Sequence, residues 1–184
     1  MVGGISSHLR RYKRCAITTP KSPPPKPAGP LRLAEFLPYR VSVAAESVSR
    51  AFAERYEAEF GLSIPEWRVM AILGEGEALS TQVLSTQAVI ARTEMDRVKV
   101  SRAVIRLAEK GLVSRAPHPE DQRAQILRLS ARGAALYRRI VPRAHALQAE
   151  LAEVLSPAEI AALMGMLDRL HRRAASLLGE DGAG

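Results

Sequence analysis

Residues 96–130 constrain the fold more tightly than any other stretch, because a helical period ends there and a strand period begins at once. From Asp96 the sequence DRVKVSRAVIRLAEKG opens on an N-capping acid, sets Val100, Ala103, Val104 and Leu107 at the three-and-four spacing of one helical face, and stops at Gly111. That face has to be buried. At about 100° per residue the opposite side carries Val98, Ser101, Arg102 and Arg106, flanked by Arg97 and Lys99, so a positive ridge with one hydroxyl and one valine points outward. The following LVSRAPHPEDQRAQILRLS gives two alternating segments, residues 112–116 and 125–129, around a tip whose two prolines, two acids and Arg123 suit a loop.

A basic helix beside a basic-tipped hairpin suits duplex DNA, since a helix fills the major groove while a hairpin reaches a neighbouring minor groove. The distribution of charge agrees. Of the formal +8, residues 1–30 hold six Lys or Arg and no acid, and residues 92–143 hold 13 bases against 5 acids. The segments 31–91 and 144–184 are each net −3, so a local positive field is aimed at a polyanion while the remaining surface avoids it. For charge alone, an ordinary solvated helix face is the plain alternative.

MDRVKVSRAVIRLAEKGLV followed by PEDQRAQILRLSARG resembles the recognition helix and wing of the MarR family of bacterial winged helix-turn-helix transcription regulators, over roughly residues 36–178. The resemblance implies a mainly α fold with a small β-hairpin: a winged helix-turn-helix lobe over about 62–130, and dimerisation helices over about 36–60 and 131–178, all within a domain of residues 31–184. On the recognition helix, Arg97, Lys99, Ser101, Arg102 and Arg106 are the expected DNA contacts; arginine grips guanine by two bonds, whereas lysine and serine more often hold phosphates. At the wing, the family's aspartate, any residue, arginine pattern matches Asp121, Gln122 and Arg123. In family members the aspartate steadies the wing and the arginine enters the minor groove; Gln122 replaces a frequent arginine, which implies weaker wing affinity.

Family members also bind small, often aromatic or anionic molecules in a cleft between the dimer helices and the DNA-binding lobe. Tyr39, Arg40, Trp67 and Arg68 are the expected lining here, with plain core filling as the other reading of Trp67. YRVSVAAESVSRAF with GLSIPEWRV is similar to regulators of aromatic-acid catabolism that answer to aryl-CoA thioesters. The implied protein is a homodimeric repressor released from a palindromic operator on double-stranded DNA by a small effector, an aromatic acid or its CoA thioester. Two other classes stay open: a nonspecific architectural DNA binder, and a small-molecule-binding protein or enzyme with an incidental winged domain.

Composition bounds these readings. A chain of 184 residues buries roughly 70% of its unfolded surface, ample for a real core. The one cysteine, Cys15, excludes an intramolecular disulfide framework and a Cys-based zinc cluster, and its place in the tail argues against redox sensing. His8, His118, His145 and His171 fall in four separate segments without a nucleophile or paired acid, so neither a catalytic constellation nor a metal site is expected, and no cofactor. No run approaches the roughly 18 apolar residues of a membrane span, which fits a cytoplasmic protein.

Along the chain, residues 1–30 combine HLRRYKR with KSPPPKPAGP, a composition expected to stay disordered, either adding nonspecific phosphate contacts or contributing nothing. Val41, Ala45, Val48, Phe52 and Tyr56 form one stripe of a helix over residues 36–60. Ser63 and Glu66 form a capping box around Pro65, starting a helix ended by Gly74 and Gly76. LSTQVLSTQA, residues 79–88, is a near-repeat that leaves the start of the next helix open between Ser80 and Ser85. Glu94 stands where the turn before the recognition helix often has glycine, implying a cost of about 1 kcal/mol or a different turn. After the wing, Ser130 caps a long helix with an apolar seam and a bend expected at Pro142. Ser156, Pro157 and Glu159 open a last helix bearing Ile160, Leu163, Leu167, Leu170 and Leu177. Apolar stripes this long need a partner, and a second copy of the chain supplies one.

Overall fold

A computed structural model describes residues 29–75, 83–118 and 125–180. They fall into two compact units, residues up to Arg40 and residues from Val41 onward. In the first, a 3-10 turn, Leu33–Glu35, is closed by the Phe36 N–H donating to the Leu33 carbonyl (3.1 Å).

The architecture is mainly α with a small antiparallel sheet. The elements are α1 (Leu37–Phe60), α2 (Ile64–Gly74), β1 (Leu84–Ser85), α3 (Thr86–Thr93), α4 (Arg97–Glu109), β2 (Val113–Pro117), β3 (Gln125–Leu129), α5 (Ala131–Ala152) and α6 (Pro157–Glu180). The expected hairpin is present, with Val113 opposite Leu129, but its first strand is shifted by one residue: Pro117, expected in the loop, is the last residue of β2 and lies opposite Gln125. A third strand joins it. β1 pairs with β3, Leu84 opposite Leu127 and Ser85 opposite Ile126, giving the order β1-β3-β2. Two residues are too few to show a strand period, so this pairing had no local signature.

Caps explain most boundaries. Ser85 caps α3, accepting from the Ala88 N–H at 3.1 Å, so the second serine of the near-repeat is the helix start; residues 79–82 lie outside the described residues. Glu94 sits at φ +53°, ψ 28°, the only non-glycine residue with positive φ among those described. The turn expected to favour glycine is therefore kept, with the strain of a side chain in the left-handed region. Asp96 caps α4 by accepting from the Lys99 N–H at 2.8 Å, and Gly111, at φ +67°, ends it as the Leu112 N–H donates back to the Leu107 carbonyl (2.8 Å). The Glu66 carboxylate accepts from both the N–H and the hydroxyl of Ser63 (2.7 Å each), and Glu159 does the same for Ser156 (2.8 and 2.7 Å).

The start of α5 is locked onto the root of the wing. Ser130 accepts from the Gly133 N–H (2.9 Å) and donates its hydroxyl to the Gly111 carbonyl (2.7 Å), while its own N–H donates to the Leu112 carbonyl (2.9 Å). A Cβ built on Gly133 would lie 2.0 Å from the Leu112 carbonyl oxygen, so only glycine allows this approach. Beyond it, α5 runs through Pro142 as one helix.

The core lies where α2, α4 and the sheet meet: Met70, Leu73, Val100, Leu107, Leu127 and Leu129 are buried. Tyr56 of α1 and Ile140 of α5 extend it, and Arg143 of α5 joins Glu59 of α1 at 2.8 Å. The last helix differs. None of the α6 residues up to Gly179 is buried, and Leu163, Leu167, Leu170 and Leu177 are all exposed.

Candidate nucleic-acid interface

The sequence places its basic ridge on α4, and the packing turns that ridge to solvent. Val100, Ala103, Val104 and Leu107 face the core, while Arg97, Val98, Lys99, Ser101, Arg102 and Arg106 are exposed. Ile105, seven residues after Val98, is also exposed (42%) and lengthens the apolar edge beside the arginines. Sequence reasoning passed over it, although the heptad step from Val98 was there to be read. Such an edge can meet a thymine methyl.

The cations of the ridge are not equivalent. Lys99 is engaged with the helix cap, its Nζ 3.1 Å from Asp96 Oδ2. Hydrogen bonds from the backbone N–H and then the side chain of Lys99 hold the Asp96 carboxyl below the usual aspartate range. Arg97 donates to Gln87 Oε1 on α3 at 3.4 Å. The side chains of Arg102 and Arg106 have no hydrogen bond or ion pair among the described residues, so their guanidinium forks are available to an outside acceptor.

What holds α4 in place was only half legible. Glu66 read as a capping residue of α2; the structure adds Lys110, just past the end of α4, whose Nζ lies 2.6 Å from Glu66 Oε1 and donates to the Gly61 carbonyl at 2.8 Å. Glu66 is 2% exposed. Burial alone would push its carboxyl up, but hydrogen bonds from Lys110 and Ser63 outweigh it and hold the group below its ordinary value. The partners are 44 residues apart, so no local pattern announces them.

On the sheet, Arg115 and Arg128 are exposed, with Arg128 Nε donating to Ser114 Oγ at 3.0 Å; neither had been singled out. Asp121, Gln122 and Arg123 lie outside the described residues.

A groove of about 430 Å³ opens between α1, α2 and α5. Its wall carries Tyr56, Trp67 and Tyr137, with Trp67 stacked on Tyr137 at 6.2 Å between centroids and tilted toward Tyr56 at 5.2 Å. Gly74 makes room for Tyr137: a Cβ there would fall 2.5 Å from the ring. Glu75 stands at the rim and is ion-paired with Arg92 of α3. Of the expected effector contacts, Trp67 lines this groove while Arg68 is exposed and is not part of its wall. Tyr39 and Arg40, in the smaller unit, are exposed, and Arg40 Nη1 donates to the Ala34 carbonyl at 3.3 Å. Among the described residues, no cluster of three or more His, Cys, Asp or Glu could hold a metal ion, and no helix is long and apolar enough to cross a membrane.

A model of the MarR family matches residues 60–124. A proposed transcriptional regulatory protein for the hcr operon of Thauera aromatica is 32% identical over 124 residues, 67% of this chain and 72% of that protein. The chain belongs to the MarR family. A second relative, the HTH-type transcriptional repressor IacR of Pseudomonas putida, is 35% identical over 80 residues; the match spans 44% of the chain and 45% of that relative's length. Among solved structures, Bordetella bronchiseptica BpsR, whose DNA binding is regulated by 6-hydroxynicotinic acid, shares the MarR fold at a TM-score of 0.69 and 22% identity, over 78% of this chain and 98% of that one.

Proposed function

We propose that the protein is a homodimeric, sequence-specific DNA-binding transcriptional regulator, a repressor released from a palindromic operator by a small aromatic effector. The observation that carries the DNA-binding reading is the outward face of α4, where Arg102 and Arg106 stand exposed and unpaired among the described residues on a helix whose other face is buried. In this reading α4 enters the major groove, Arg102 reads a base edge, Lys99 and Ser101 hold phosphates, and Arg97 and Arg106 flank them. Arg123, with Asp121 and Gln122 beside it in the wing, reaches the minor groove. Exposed apolar residues on α6 and on α1, where Val41 and Val48 face solvent, supply the surface for a second copy, and a two-fold dimer reads a palindrome. The aromatic groove is the effector site, a role supported by the ligand named for the Bordetella relative. Repression is supported by the name of the Pseudomonas relative.

The test compares Arg102→Ala and Arg123→Ala with the parent protein on a duplex selected from a random pool and on a scrambled duplex at matched salt. Arg102→Ala should weaken the selected duplex by about 1 to 3 kcal/mol and random DNA much less. Arg123→Ala should lower affinity with a smaller loss of discrimination, following the A·T content beside each half-site. If both folded, dimeric variants bind both duplexes like the parent, α4 and the wing are not the reading surface. A footprint spreading beyond one palindrome would favour an architectural DNA binder.

A further inference from the structure

The groove between α1, α2 and α5 combines aromatic walls with an acid, and no lysine or arginine is among the described residues that line it. Trp67 and Tyr137 form the aromatic wall with the buried Tyr56 behind Trp67, Glu75 stands at the rim, and His145 and Gln148 supply the other polar groups. The carboxylate makes itself felt inside: burial and then the charge of Glu75 push the Tyr137 phenol up. An aromatic carboxylate entering here would shed water, with His145 the one base among the described lining residues and the nearby Arg92 already held by Glu75. An arylalkyl ammonium would meet ring faces that attract cations and an anion at their edge.

Resting on the reading of this groove as the effector site, we propose that it selects an aromatic cation, with the aryl ring against the Trp67 wall and the ammonium at Glu75. This reverses the charge expected from the family resemblance. It also supplies a route to the DNA-reading helices, because the present partner of Glu75 is Arg92, the penultimate residue of α3, next to the turn that sets α4. A ligand ammonium and Arg92 compete for one carboxylate, so effector binding and loss of the Glu75–Arg92 pair are a single exchange. By linkage, whatever the ligand does to DNA affinity, DNA does equally to ligand affinity.

Trp67 is the chain's one tryptophan, so its fluorescence reports occupancy of the groove directly. The full-length protein is titrated at constant ionic strength with three probes of one shape: 2-phenylethylammonium, 2-phenylethanol and phenylacetate. The ammonium should bind about tenfold tighter than the alcohol, with phenylacetate weakest. In Glu75→Gln the ammonium should fall to the level of the alcohol, whose own affinity stays unchanged. In Arg92→Ala, with the competitor removed, the ammonium should bind severalfold tighter and the alcohol as before. Phenylacetate binding tightest, or an ammonium preference that survives Glu75→Gln, overturns the proposal and leaves the effector reading standing. Failure of all three probes to quench Trp67 saturably overturns both.

Discussion

Glu66 shows how one side chain can serve two elements at once. Its two oxygens divide the work, one holding Ser63 at the start of α2 and the other Lys110 at the end of α4. The carboxyl is held below its ordinary value of 4.5, so its contribution to stability is complete above that pH and is lost as pH falls through the lower folded value. Glu66→Gln keeps the shape and removes the charge. It should cost about 1 to 3 kcal/mol at neutral pH, and melting curves should then fall less steeply in acid than those of the parent. The four buried residues and the arginine ridge of α4 could be read from spacing alone, because a helix repeats within a few residues. The tie from Glu66 to Lys110 could not, since only the folded chain brings α2 and the end of α4 together.

At the scale of elements, two glycines carry meaning that differs from their local reading. Gly74 was expected as a stop; it closes α2 at an ordinary negative φ, and its lack of a side chain gives Tyr137 its place. Gly133 had no signature, because the demand on it comes from the Leu112 carbonyl, 21 positions earlier. Backbone cannot move aside as a side chain can, so Gly133→Ala should destabilise by about 3 kcal/mol, seen as a lowered thermal midpoint. The hairpin and the caps at Asp96, Ser130 and Ser156 were legible because turn and cap chemistry is local. The start of α3 was not, since two equivalent serines competed until β1 paired with β3 and fixed Ser85.

For the molecule as a whole, the exposed leucines of α6 argue for a dimer. Leu163, Leu167 and Leu170 recur at helical spacing on a helix with no fully buried residue up to Gly179. Sedimentation at micromolar concentration should show a dimer, and Leu167→Glu should shift it toward monomer; a stable, well-folded parent monomer would sink the assignment. Residues 1–28 lie outside the described residues, and the charge there is a property of sequence. Deleting residues 1–30 removes six bases and no acid, so DNA affinity should drop mainly at low salt while the melting transition persists.

The bonds of Ser130 have a mechanical corollary. The same hydroxyl grips the end of α4 and the first turn of α5, so reading head and long helix share one stiff joint. In a dimer hinged on its outer helices, the two heads then behave as the points of a caliper. Opening the legs changes their stride along the duplex, one helical turn of about 34 Å between half-sites. Release of such a protein from DNA would then include a mismatch of spacing between half-sites.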